Sequence, residues 1–208
     1  MLRRLLVLTI AIVFLFLPLI SFERSIVDYE GEENDRLMQE SRYALLHRGA
    51  PEDQLEILAR AVTNACKNSN RQITPALVVS LIETESGFNK DAVSSEGYRG
   101  LMQTPWASIK WPDVDILLGV RILEDKMRIT NNNIPRALAL YKGGTSHLAH
   151  RHARETLRIY HDLLKLIEKK NRLVWSNCTK DLIQKRGLMN TLIVDRVVCP
   201  RVTFRLSG

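Results

Sequence analysis

No internal repeat and no low-complexity tract runs through the 208 residues, so a stacked-repeat architecture is excluded and one hydrophobic core is expected. Two full-sized domains do not fit in this length, which leaves one globular domain and additional segments. Cysteine is scarce. Cys66, Cys178 and Cys199 are the three present, enough for one bridge and a remainder. No lipid-accepting cysteine and no small-x-small cleavage pattern follows the apolar N-terminus, where the chain reads Leu19-Ile20-Ser21-Phe22-Glu23. Lipoprotein anchoring is thereby excluded, and removal of a leader finds no support. Acids are in the minority, 23 against 30 Lys and Arg for a net charge of +7, which points to an anionic partner: nucleic acid, an acidic membrane surface or a bacterial wall.

The N-terminus chooses among those partners. Arg3 and Arg4 precede a run from Leu5 to Ile20 broken only by Thr9 and Pro18, which reads as an export signal or, better, an uncleaved membrane anchor. Arginines before the run and Glu23, Asp28 and Glu30 after it place the N-terminus in the cytoplasm and the body outside. Nucleic acid is then not the partner. In an oxidising compartment Cys178 and Cys199 can pair and staple a C-terminal extension, a closure worth roughly 3 kcal/mol on chain-entropy grounds. Cys66 then remains as a buried, unreactive thiol on a helix.

The chain divides into a signal or anchor at 1–22, an acidic stalk at 23–50, a helical domain at 51–170 and an extension at 171–208. Within the domain, helical spacing runs from Asp53 to Asn68 through Leu55, Leu58, Ala59, Val62, Ala65 and Cys66. Thr74 as N-cap and Pro75 at the first helical position open a second helix, which Gly87 closes. A third spans Asp113 to Ile129, with Ile116, Leu117, Val120, Leu123 and Met127 as its stripe. A short helix starts at Pro135 and stops at Lys142-Gly143-Gly144. A last one, about Ala153 to Lys170, carries Leu157, Tyr160, Leu164 and Ile167. Beyond it, Leu192-Ile193-Val194 and Val202-Thr203-Phe204 predict a small β-hairpin. The fold class is mainly α.

One carboxylate is out of place. Counting back three, four and seven residues from Glu85 gives Ile82, Leu81 and Val78, so Glu85 lies on the face that turns inward. A carboxyl group in apolar surroundings holds its proton to higher pH, as a general acid must. Glu83, about 200° round the helix, has no such reason to be perturbed. By periodicity alone Glu85 can equally be a frayed helix end pointing to solvent.

From Glu85 the chain reads Glu85-Ser86-Gly87-Phe88, then Ala92, Ser94, Gly97 and Gly100-Leu101-Met102-Gln103. This ordered set resembles the lytic transglycosylase family with the soluble-transglycosylase (SLT), goose-lysozyme-like domain. Farther on, Ala139-Leu140-Tyr141-Lys142-Gly143-Gly144 resembles that family's Ala-x-Tyr-Asn-x-Gly signature. Asp113-Val114-Asp115-Ile116 with Gly119 resembles its Asp-Pro-x-x-Asn-Ile-x-x-Gly stretch, without the Pro. The likeness spans roughly residues 55 to 165, and an ordered set of that length is far more specific than one tetrapeptide.

The resemblance implies a lysozyme-like helical domain in which Glu85 is the sole catalytic acid and base. It implies that Tyr141 orients Glu85 by a hydrogen bond, that Ser94 and Gln103 face the sugar subsite, with Ser86 beside them, and that Met102 lines its floor. Glu155, in a Glu155-Thr156 pair whose Tyr160 comes one position late, is carried over weakly. The implied substrate is the peptidoglycan glycan strand, cut at the β-1,4 bond from N-acetylmuramic acid to N-acetylglucosamine to leave a 1,6-anhydro end, with no cofactor. Two alternatives stay open. Asp91 or Glu96 as a second carboxylate would make the chemistry hydrolytic. Lys142, where the family has Asn, would weaken Glu85 as an acid if it reached it, leaving a silent wall-binding assembly protein.

Pro105-Trp106 and Trp111-Pro112 make the shortened stretch before the third helix aromatic, and Trp faces suit sugar stacking. His147, His150 and His152 lack the converging geometry of a metal site, and with Arg151, Arg154, Arg158, Lys165, Lys169 and Lys170 they form a basic edge. The expected location is the periplasmic side of a bacterial inner membrane. By family analogy, the partner beyond the wall is a secretion, conjugation, pilus or phage apparatus.

Overall fold

A computed structural model describes residues 30–69, 72–105, 111–144 and 146–186. Among them the regular structure is helical, and pairing of extended backbone is confined to isolated bridges. The mainly helical class is as expected.

The first helix, α1, covers residues 30–47 and corrects the stalk. Leu37, Ser41, Ala44 and Leu45 recur at helical spacing and are buried in the common core. Ser41 Oγ donates to the Leu37 carbonyl at 2.8 Å and lies 3.0 Å from Thr63 Oγ1 of the next helix. Arg48, one residue past α1, makes a two-pronged ion pair with Glu83. Glu30, Glu32 and Asp35 are exposed, whereas Glu40 is largely buried, and Arg36 pairs with both Glu33 and Glu40. What reads as polar composition is the solvent face of an amphipathic helix, so residues 30–47 pack with the helices that follow 51.

The next helix, α2, spans Leu55–Lys67 and buries Leu58, Ala59, Ala61, Val62, Thr63, Ala65 and Cys66. Burial pushes the Cys66 thiol up to about 12, with the charge of Glu40 adding to it, which keeps it protonated and unreactive as expected. Helix α3 spans Pro75–Ser86. Thr74 accepts from the Leu77 N–H, Pro75 takes the first turn, and Gly87 closes the helix at φ 58° in the left-handed region. Residues 75 to 82 are all buried, so α3 is the inner helix.

After α3 a loop turns back on itself through bridges from Val93 to Arg99 and from Arg99 to Thr104. Helix α4, Pro112–Ile129, buries Asp115, Ile116, Gly119, Val120, Leu123 and Met127. Leu117, expected on that stripe, is exposed, because it follows Ile116 by only 100° of turn. Asn133 caps α5, Ile134–Tyr141, by accepting from the Arg136 N–H. Gly143 and Gly144 then reverse the chain at φ 103° and 106°, a conformation other residues resist.

The last helix, α6, is far longer than its apolar stripe predicts, His147–Arg186. Its buried seam is Ala149, Ala153, Thr156, Tyr160, Leu163 and Ile167, with Ile159 beside it. Leu157 and Leu164 only flank it. Small Ala149 and Ala153 are what let the helix start packing a turn and a half earlier than a search for large apolar residues finds. Beyond Ile167 the helix opens with the charged run Glu168-Lys169-Lys170. Cys178 lies on this helix, while Cys199, the disulfide and the C-terminal hairpin lie outside the described residues, as does the run from Leu5 to Ile20. Among the described residues no helix is long and apolar enough to cross a membrane. Helix contacts close in a ring, α2 on α4, α4 on α5, α5 on α6, α6 on α3, with a lighter contact from α3 back to α2.

Candidate active site

Three elements meet where α3 leaves the core. Val78, Leu81 and Ile82 are fully buried, and Glu85, one turn on from the last two, is on the same face with 15 % of its side chain exposed. The carboxylate is therefore at the rim of the apolar interior, neither frayed nor enclosed. Opposite it, α5 ends at Tyr141, and Lys142 follows with its N–H on the Leu138 carbonyl at 2.9 Å.

Lys142 turns inward. Its Nζ lies 2.8 Å from Glu85 Oε1, with 4 % of the lysine side chain exposed, and donates to Thr84 Oγ1 at 2.8 Å. Thr84 Oγ1 is in turn 2.9 Å from Thr156 Oγ1 on α6 and within reach of the Ser80 and Leu81 carbonyls. Glu85 Oε1 is buried, and no N–H or O–H among the described residues meets it at hydrogen-bonding angles. The ammonium compensates it chiefly as a charge. Burial pushes the Lys142 ammonium down from its ordinary value, and Glu85 first, then Glu155, oppose that shift. A buried pair of this kind is held by the mutual need of its partners: removing either leaves the other uncompensated.

Tyr141 does not make the bond expected of it. Its hydroxyl donates its one proton to the Met102 carbonyl at 2.8 Å, so none is left for Glu85 in this arrangement. Burial, and after it the charges of Glu85 and Asp115, hold the phenol well above its ordinary value, so it stays protonated. The bond fastens the end of α5 to the Gly100–Thr104 turn.

That turn is built on Asp115, a buried acid on the inner face of α4. Its Oδ2 accepts from the Leu101 N–H at 2.5 Å and the Met102 N–H at 3.3 Å, and Oδ1 is 3.5 Å from Thr104 Oγ1. Burial pushes the Asp115 carboxyl up, and those three donors partly offset the shift. In the register that sets Asp115 at the motif's Asn, Pro112 stands three residues earlier, so the stretch does carry the motif's proline. Pro112 is the first residue of α4.

The other sequence-derived residues are near but differently employed. Met102 is fully buried and packs on Gly119, where an added Cβ would come within 2.5 Å of the Met102 Cβ. It is core, not floor. Gln103, at φ 48°, turns its amide back to donate to the Gly100 and Ala92 carbonyls. Ser94 Oγ accepts from the Tyr98 N–H at 3.0 Å, and Ser86 Oγ donates to the Ile82 carbonyl at 3.1 Å. Both cap their own backbone. Glu155 is exposed on α6, and its field reaches Lys142. Asp91 pairs with Lys90 at the surface and Glu96 is exposed, so neither is drawn into the pair. Trp111 is exposed before α4, whereas Trp106 lies outside the described residues.

Sequence reasoning missed Asp115, Thr84 and Thr156. Asp115 carried the very signal that singled out Glu85, an acid on a stripe with Gly119 and Leu123 at four-residue steps. Thr84 and Thr156 gave no signal, because their role comes from one reaching the other across 72 residues.

Residues 63–158 match the family model of the transglycosylase SLT domain. Over that stretch the chain is similar to an SLT transglycosylase domain. Glu85, Asp115, Tyr141, Lys142 and Thr156 all fall inside the matched range, while α1 and the distal part of α6 fall outside it. The SLT domain is a peptidoglycan-active, glycosidic-bond-cleaving type, with a lysozyme-like helical fold. No solved structure matches the chain. The three histidines at the start of α6 are exposed, and among the described residues no group of His, Cys, Asp and Glu has the makings of a metal site.

Proposed function

We propose that this SLT domain is a lytic transglycosylase that cuts peptidoglycan at the bond from N-acetylmuramic acid to N-acetylglucosamine. The observation that carries the reading is Glu85, an acid on the buried stripe of α3, slightly exposed at its rim and inside the matched range. In the forward step its carboxyl gives a proton to the bridging oxygen as positive charge develops on the muramic acid ring. The carboxylate left behind takes the proton of the C6 hydroxyl of that same sugar. Its oxygen closes on C1, giving a 1,6-anhydro ring with no water consumed.

Hydrolysis by a pair of carboxylates needs a second acid facing the bond at a fixed separation. The surface pairing of Asp91 with Lys90 and the exposure of Glu96 argue against either filling that role. One observation favours a different reading, a wall-binding protein without activity: the Lys142 ammonium lies on the carboxylate that must carry the proton. Digestion of purified sacculi by the full chain separates the three. Anhydro-muropeptides, lighter by one water than hydrolytic products, are expected from the wild type and not from Glu85→Gln. Products of full hydrolytic mass would establish the lysozyme-like reading, and intact sacculi the silent one. We further propose that the domain works on the periplasmic side of the inner membrane, opening the wall for an envelope-spanning apparatus. The net charge of +7 suits a wall or membrane rich in acidic groups.

A further inference from the structure

We propose that Lys142 is the positioning residue for Glu85, in place of Tyr141, holding the carboxyl group by its charge. The inference rests on the transglycosylase reading and concerns how this particular site runs it.

Geometry makes the assignment. The phenol of Tyr141 has a single proton and spends it on the Met102 carbonyl. Lys142 has three, and its Nζ is set between Glu85 Oε1 and Thr84 Oγ1, each at 2.8 Å. Thr84 is anchored to the α3 backbone and to Thr156 of α6. The ammonium is thus fixed by α3, α5 and α6 together, and with 4 % of the side chain exposed it has little room to swing. The ion pair holds Oε1 at the ammonium. It leaves Oε2 as the oxygen to carry a proton to a sugar.

The acids whose charge reaches Lys142 are Glu85 on α3 and Glu155 on α6. Glu83, next but one to Glu85, is taken by Arg48 on another side of α3.

Two variants test this. Lys142→Arg keeps the charge, and Lys142→Met removes it while keeping the apolar stem. Initial rates of anhydro-muropeptide release are measured against the concentration of sacculi, with the melting temperature of each variant recorded. The maximal rate should fall by about tenfold or more in Lys142→Met, because the carboxyl is no longer held, with the half-saturating concentration little changed, and should recover in large part in Lys142→Arg.

A Lys142→Met variant that releases products at the wild-type maximal rate would overturn the inference while leaving the transglycosylase reading intact. A wild type without products, and a Lys142→Met variant that gains them, would also overturn it by making Lys142 an off switch. If no protein forms products, the transglycosylase reading fails and the proposal falls with it.

Discussion

Asp115→Ala tests whether one buried acid holds the Gly100–Thr104 turn. The carboxylate serves two buried backbone N–H groups through a single oxygen, at 2.5 and 3.3 Å, and the Thr104 hydroxyl at 3.5 Å is too long to count for much. Leaving each N–H without a partner costs about 1–3 kcal/mol. Removing a desolvated carboxyl returns part of that, so a net loss of about 3 kcal/mol is expected, or roughly 6–12 °C in the melting temperature of a domain near 150 residues. Asp115→Asn should recover most of it, since one amide oxygen can accept both N–H groups and the amide nitrogen can meet Thr104. The pH dependence separates them further. Burial raises the Asp115 carboxyl above its ordinary 3.8, so the folded chain keeps that proton to higher pH than the unfolded chain does. The stability this contributes is complete below 3.8 and is lost as pH climbs through the raised folded value. Asparagine does not titrate. The melting-temperature difference, Asp115→Asn minus wild type, should therefore grow with pH across that window. An Asp115→Ala variant melting within a degree or two of wild type would refute the reasoning, as would a difference that shrinks with pH.

Gly119→Ala puts a Cβ within 2.5 to 2.7 Å of Met102 side-chain atoms, and the nearest of these, Cβ, cannot swing aside. Overpacking of this kind costs about 1–3 kcal/mol, and denaturant titration should show it. Glycan-strand cleavage should fall as well, because Tyr141 is fastened to the Met102 carbonyl. Leu45→Ala removes a fully buried side chain from α1, and a loss of about 2–5 kcal/mol is expected. A negligible change in unfolding midpoint would restore the stalk reading of that segment.

Periodicity located α2, α3, α4 and α5 to within a few residues, because each has caps, prolines or glycines at its ends and an apolar stripe between. It failed on α1 and on the ends of α6, for related reasons. Net composition hides a stripe as narrow as Leu37, Ser41, Ala44 and Leu45 under a dense solvent face. The start of α6 packs through alanines, and its turns after Ile167 open with Glu168-Lys169-Lys170, so neither advertises a helix packed on the core.

The sequence alone put Glu85 on the face of α3 that carries Val78, Leu81 and Ile82, since 3.6 residues per turn fix which residues share a face. Only the tertiary structure decided which group would meet it. Tyr141 and Lys142 are adjacent in the chain, and either could have been turned toward Glu85. The choice came from where the Met102 carbonyl and the Thr84 hydroxyl stand once α3, α5 and α6 have packed. A hydrogen-bond partner is fixed by distance across the fold, which spacing along the chain does not encode.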